Sequence, residues 1–381
     1  MNKNSRIMIS GAGVAGLTAA IWLGRHGFRP VIIEKAPEIR ADGYIISLSH
    51  KSFHYADELG LLPRMLERNT GISYSSYHNR KGHTMLLLDY QDLFAGVDIV
   101  QIMRDELEMV LYEAAKDLAD FRFGLSATAI SQDDDRVSVC FDNGDEEEFD
   151  LVIGADGLHS ITRELTFTPD EIERIYLGRF SSAYKLDNVI GLVDKFENHM
   201  EQNRYMCVYT TGKDDLACVF IWKDHSLEAP PPGQRNAYLK EAFNDPPEVV
   251  AKILDACPEN DTFYMDPLIQ IRMKNWHKGR VVLSGDAAHS LTLLSGQGAS
   301  SAFWGASTLA RALVDHEPEQ AFRIYQDEMQ PVINRIQPAV RSAAKWYIPG
   351  STLPYLVRDT LMTCLPNLFF QKYFKKKYSS A

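Results

Sequence analysis

Apolar residues recur along this chain in three rhythms. The first is the unbroken run: Ile7-Met8-Ile9, Val31-Ile32-Ile33, Leu151-Val152-Ile153 and Val281-Val282-Leu283. Such runs suit strands covered on both faces, as in a parallel sheet. The second rhythm is helical. It marks the small-residue stretch up to about His26, and residues 53–67, where Ala56, Leu59 and Leu62 recur and Pro63 interrupts. It returns from Ile102, with Leu107, Val110, Leu111 and Ala114 on one face, and at residues 234–243, 247–256 and 299–313. The third is alternation, at residues 72–77 and 84–88, in a hairpin over 126–149, and across 172–272. There strands are predicted at 180–184, 189–193, 205–210, 216–222 and 268–273. Tyr205 and Tyr209 should face one way, Met206 and Val208 the other. The last part is helical: 318–346, bent at Pro331 and Pro338, then 353–374 with Pro366 inside. The pattern predicts an α/β fold with an inserted β-rich domain and a C-terminal helical extension.

The glycines give the first unit its chemistry. Gly11-Ala-Gly13-Val-Ala15-Gly16 joins strand to helix, and Glu34-Lys35 ends the next strand. This is the dinucleotide-binding fingerprint of a Rossmann-like fold. Gly11 permits the tight turn, Gly13 lets backbone approach a pyrophosphate, and Gly16 lets the helix pack closely. The helix N-terminus offers N–H groups to phosphates, and Glu34 can accept from ribose hydroxyls. The unit alone does not distinguish NAD from FAD.

Further along, Arg40 and Gly43 could bring a cation and bare backbone against a flat cofactor, or simply form a solvated connection. Arg104 opens a helix, where a cation suits an anionic partner better than the helix dipole. Pairing with Glu108 is the alternative. Asp156-Gly157, with Ser160 and Arg163, follows a buried strand, at the sheet edge where ligands bind. Asp156 could equally cap the next helix. Gly285-Asp286-Ala-Ala-His289 follows another, then Gly296-Gln-Gly298-Ala299 opens a helix with a small-residue face. Asp286 can bind a polyol hydroxyl, and the Gly298 and Ala299 N–H groups can face a ring that becomes anionic. No acid or nucleophile is paired with His289 in the sequence, so it reads as a packed side chain.

Composition narrows the class. The 381 residues carry a net charge of −11, which argues against nucleic acid as a partner. No apolar run has membrane-spanning length, and the five scattered cysteines suggest neither a disulfide framework nor a metal site. No leader is expected, since the glycine unit begins so close to Met1; the scattered cysteines fit a reducing cytoplasm, and a monomer is expected.

The three motifs, in this order, resemble those of class A flavoprotein monooxygenases, the p-hydroxybenzoate hydroxylase-like group. The resemblance implies a Rossmann-like FAD-binding domain (residues 1–71, 102–171 and 273–317), a substrate-binding β-sheet domain (72–101 and 172–272) and C-terminal helices (318–381). It implies FAD as cofactor, with Gly11, Gly13, Ala15, Gly16, Glu34, Lys35, Arg40, Gly43, Arg104, Asp156, Gly157, Arg163, Gly285, Asp286, Gly296, Gly298 and Ala299 around it. NADPH or NADH would be the transient reductant, and a C4a-hydroperoxyflavin would carry out the hydroxylation without a catalytic side chain.

One departure stands out. Leu293 occupies the position where the family usually has proline. The Leu293-Leu294-Ser-Gly-Gln-Gly run and the long C-terminal extension are most similar to tetracycline-inactivating flavin monooxygenases. That likeness implies a small polycyclic phenolic or enolic substrate and a terminal helix across the substrate cavity. Candidate substrate contacts are Tyr184, Tyr205, Tyr209, Leu293 and Leu294. Alternatives are another aromatic hydroxylase, or a flavin reductase or oxidase that inserts no oxygen. The basic end Lys375-Lys-Lys377 fits either a docked helix or a membrane surface, the docked helix ranking first.

Overall fold

The structure, a computed structural model, describes residues 3–39, 43–212 and 214–372. The unbroken apolar runs form the central sheet, in the order His277–Lys278, Val281–Leu283, Leu151–Gly154, Ile7–Ser10, Val31–Glu34, Asp120–Phe123. All pairings are parallel except that of the first strand. The chain leaves Ile7–Ser10 toward one side for Val31–Glu34 and returns on the other with Leu151–Gly154. That reversal opens a crevice at the carboxyl ends of the strands, where open α/β sheets bind ligands.

Alternation explains the cover on both faces. Ile7, Ile9, Ile32, Ile153 and Val282 pack under the helices Val14–Arg25, Arg104–Ala115 and Gly298–Asp315. Met8, Val31, Ile33, Val152 and Val281 pack on the meander Ala127–Gln132, Val137–Phe141, Glu146–Phe149. Residues 53–67 break at Gly60 (φ 62°), and Pro63 starts the second helix, Leu62–Leu66, rather than ending the first. Ile102 and Met103 end a strand, Ile99–Met103, paired with Ile45–Ser49, so the following helix begins only at Arg104.

The inserted region is a mixed seven-stranded sheet, ordered Tyr264–Met273, Ile172–Asp187, Asp215–Lys223, Arg204–Thr210, Lys195–Met200, Tyr74–His78, Thr84–Asp89. One face, with Tyr184, Met206, Val208 and Phe220, packs on the helices Arg235–Ala242 and Glu248–Asp255. The other, with Ala183, Cys207, Tyr209 and Ala217, packs toward Tyr44, Ile45, Leu293 and Ile348. The expected strand at 189–193 is a loop. Gly191 is left-handed (φ 66°), and the Asn188 side chain donates to Leu192 O at 2.8 Å and accepts from Leu192 N at 2.9 Å. The strand Lys195–Met200 takes its place in the sheet.

The helix Pro318–Tyr347 runs unbroken through Pro331 and Pro338. The terminal helix, Thr352–Cys364, stops short of the expected 374, and Pro366 precedes further helical residues, 367–372. None of the described helices is long and apolar enough to cross a membrane.

Candidate active site

Gly11 leaves its strand at φ 103°, and a Cβ there would lie 2.6 Å from Ala155 O across the crevice. A Cβ on Gly16 would fall 1.9 Å from Gly11 O, so this glycine lets the first helical turn close onto the loop itself. Gly13 differs. A Cβ there would meet only Glu108 Oε1, at 3.8 Å, leaving a cradle open to the crevice. No described side chain caps the helix that Gly13 begins. Backbone N–H groups and helix dipole are therefore turned toward an anion.

Glu34 stabilises this loop. Its Oε2 accepts from Ala12 N at 2.9 Å and its Oε1 from Ala36 N at 2.9 Å. Each oxygen keeps a second lone pair, and the residue lines the outer half of the cleft with Lys35, Gly157 and Arg104. Arg104 Nε donates to Glu108 Oε1 at 3.0 Å. The expected alternatives coexist: Glu108 holds the guanidinium firmly protonated, and Arg104 still borders both halves of the cleft.

Asp156 serves as a cap. Its carboxylate accepts from Thr162 N at 2.9 Å, Thr162 Oγ1 at 3.0 Å and Ser160 Oγ. The peptide beside it nonetheless borders the cleft. Arg163 is buried behind it, donating to Ala287 O at 3.0 Å and Leu158 O at 2.8 Å. It clasps the two loops together and does not line the cleft. Burial lowers its pKa.

Gly285 (φ 62°) turns Asp286 into the cleft. A Cβ on Gly285 would come within 3.0 Å of Ala15 Cβ and 3.4 Å of Ala302 Cβ, so the first and last motifs meet there. Asp286 remains open to solvent from the cleft, yet the protein packed around it still favours the neutral carboxyl and raises its pKa, and Arg104 and Arg163 oppose that rise. Gly296, Gly298, Ala299 and Ala302 line the same inner half, about 1350 Å³ of space partly open to solvent. Thr292, with φ 65°, is strained beside them. Small residues, open backbone, and a carboxylate in each half (Glu34 in the outer, Asp286 in the inner) along a continuous groove fit an extended dinucleotide such as FAD.

The chain matches the FAD binding domain family over residues 4–337. A flavin-dependent monooxygenase from an unknown prokaryotic organism is 35% identical over 344 residues, 88% of each chain. This protein is a class A FAD-dependent monooxygenase. A second relative, a flavin-dependent monooxygenase of Legionella longbeachae, is 33% identical and covers 82% of this chain and 81% of its own. Crystal structures of the tetracycline destructases Tet(51) and Tet(55) align with TM-scores of 0.83 and 0.84, at 25% and 26% identity. They cover 99% and 100% of the monooxygenase chain, and 98% of each of their own chains is covered.

The remaining sequence expectations separate on the structure of the monooxygenase. Leu293 lines the inner cleft, and Leu294 packs behind it. Tyr209 and Tyr205 do share a sheet face, but neither lines the cleft. Tyr209 Oη accepts from Ile45 N at 2.7 Å while its ring stacks on Phe196 at 4.9 Å. Tyr205 Oη donates to Asn198 Oδ1 at 2.6 Å. Tyr184 is on the opposite face, donating to Ile253 O at 2.9 Å, and so lies away from the cleft. Gly43 fits closely against Arg104, where a Cβ would lie 3.0 Å from Arg104 Cβ. Arg40 lies outside the described residues.

Sequence reasoning missed Tyr44 and Tyr264, whose rings meet at 5.7 Å in the inner wall, together with Leu268 and Asp266. Tyr44 follows Gly43 directly and could have been found from it. Tyr264 could not, because only the pairing of Tyr264–Met273 with Ile172–Asp187 carries it to the cleft.

Proposed function

We propose that this monooxygenase consumes NAD(P)H and O2 to hydroxylate an electron-rich polycyclic phenol or enol, with tetracyclines as the substrate. The observation that carries the reading is the likeness to Tet(51) and Tet(55), which spans essentially the whole chain, terminal helices included. The tyrosine and aliphatic wall of the inner cleft supports it, because a flat polycycle is held by such surfaces.

The roles of the residues follow from their surroundings. The Gly13 and Ala15 amides would hold the pyrophosphate, with Arg104 supplying positive charge. Glu34 would bind the adenosine ribose and Asp286 a ribityl hydroxyl. FAD, when bound, supplies the redox chemistry that activates oxygen. The N-terminus of the Gly298–Asp315 helix would stabilise negative charge on the ring system. Tyr44, Tyr264, Leu268 and Leu293 would orient the substrate and keep water from the reacting centre.

The test mixes purified FAD-loaded protein with a tetracycline and NADPH, following NADPH absorbance and product mass. An NADPH- and O2-dependent gain of one oxygen, or a breakdown product derived from it, is expected. Unchanged tetracycline alongside oxygenation of another phenol would remove tetracycline as the substrate. NADPH oxidation without oxygen in any product would point to a reductase or oxidase instead.

A further inference from the structure

The outer half of the cleft holds more carboxylates than a groove for a diphosphate calls for. Glu34, Glu38, Glu108 and Asp156 line it, with Lys35 and Arg104 as the opposing cations. Three of the acids are accounted for. Glu34 accepts from the loop amides of Ala12 and Ala36, Asp156 caps its helix, and Glu38 is exposed and hydrated. Glu108 is different. It is 3% exposed, and its Oε1 is the atom that a Cβ on Gly13 would meet, at 3.8 Å. A buried carboxylate therefore stands beside the backbone cradle that turns its N–H groups toward an anion.

Stability does not explain that placement. Glu108 pairs with Arg104 four residues earlier, Oε1 accepting from Nε at 3.0 Å. Such a pair adds little to an exposed helix, and a buried one is often no better than apolar side chains of the same size. The same helix buries Leu107, Val110 and Leu111 around it. Electrostatics gives the carboxylate a task. The Arg104 side chain is 32% exposed and borders both halves of the cleft, whereas that of Glu108 is 4% exposed. Glu108 offsets the guanidinium charge, and with little water to screen it, it repels an anion at the cradle.

We propose that Glu108 limits the affinity for the FAD diphosphate by opposing the charge of Arg104. The inference rests on the diphosphate lying at Gly13, as argued above, and is independent of the substrate. The full chain, freed of flavin, is titrated with FAD by fluorescence and with ADP by calorimetry. ADP carries the diphosphate without the flavin. Glu108→Gln keeps the shape of the side chain and an acceptor for Arg104 Nε. It should bind both ligands about tenfold or more tighter and release FAD more slowly. Arg104→Gln should bind both more weakly. Adding Glu108→Gln to it should recover about tenfold or more, because the charge removed acts on the phosphates directly. A residue that only held Arg104 in place would give weaker binding in Glu108→Gln and no recovery in the double variant.

Melting temperatures check that each variant is folded, and Glu108→Gln against the parent decides alone if Arg104→Gln does not fold. Unchanged or weaker binding in Glu108→Gln would overturn the inference, as would a folded double variant without recovery. Gly13→Ala tells this failure from that of the cradle. If it lowers the affinity for FAD and ADP, only the role of Glu108 falls; if it leaves both unchanged, the diphosphate does not lie at Gly13 and both readings fall.

Discussion

Gly13 and Gly16 stand three residues apart and do different work. Alanine at Gly13 has room, so the apoprotein should keep its melting temperature while its affinity for FAD falls. Alanine at Gly16 drives a Cβ into Gly11 O, and a loss of about 3 kcal/mol or more is expected. Thermal melting with and without FAD separates the two. Asp286→Ala should retain the fold and weaken FAD binding by about 1.5–3 kcal/mol, at least tenfold, in fluorescence titration. Unchanged FAD affinity in that variant would remove Asp286 from the cofactor site. At this scale the cleft's backbone was legible, because glycine spacing reports backbone shape directly. Side-chain roles were less so. Asp156 was readable as a cap, because Thr162 lies six residues on, but Arg163 and Tyr209 were not, since their partners Ala287 and Ile45 become neighbours only after folding.

Among the elements, the long helix Pro318–Tyr347 ties the inserted sheet to the loop after Asp286 through a buried amide. Gln337 Nε2 donates to Ile271 O at 2.8 Å and to Ser290 O at 3.2 Å, joining a strand of the inserted sheet to the loop after Asp286. Gln337→Leu would strand both carbonyls, lowering stability by about 3 kcal/mol in denaturant unfolding. The central strands were legible because each is apolar throughout. The strand Lys195–Met200 was not, since its sequence Lys-Phe-Glu-Asn-His-Met has few apolar residues. Its place is fixed by partners on both sides. Conversely, 189–193 looks like a strand but is held as a loop by Asn188, a local side-chain bond outweighing apolar composition.

For the whole molecule, His289 sets a pH limit. It is buried against Trp276, with ring centroids 4.7 Å apart, and its Nδ1 has no partner among the described residues. Burial lowers its pKa to about 4. Below about pH 6.5 the unfolded chain takes up a proton that the folded one refuses, so stability falls as pH drops from 6.5 toward 4. This group contributes up to about 3 kcal/mol to that fall. Melting temperatures measured over this range should decline, and His289→Phe should flatten the decline. A variant as acid-sensitive as the parent would assign the loss to other groups.

The inserted sheet also has a consequence in time. Its outer hairpin, Tyr74–His78 with Thr84–Asp89, pairs in parallel with Lys195–Met200, which leaves the ribosome roughly a hundred residues later. At about 5–20 residues per second this is a wait of about 5–20 s. Throughout it the Tyr74–His78 edge is without its parallel partner, ready to pair with a neighbouring nascent chain. The yield of this enzyme should therefore depend on what shields that edge during translation, and fall when synthesis is crowded or chaperones are scarce.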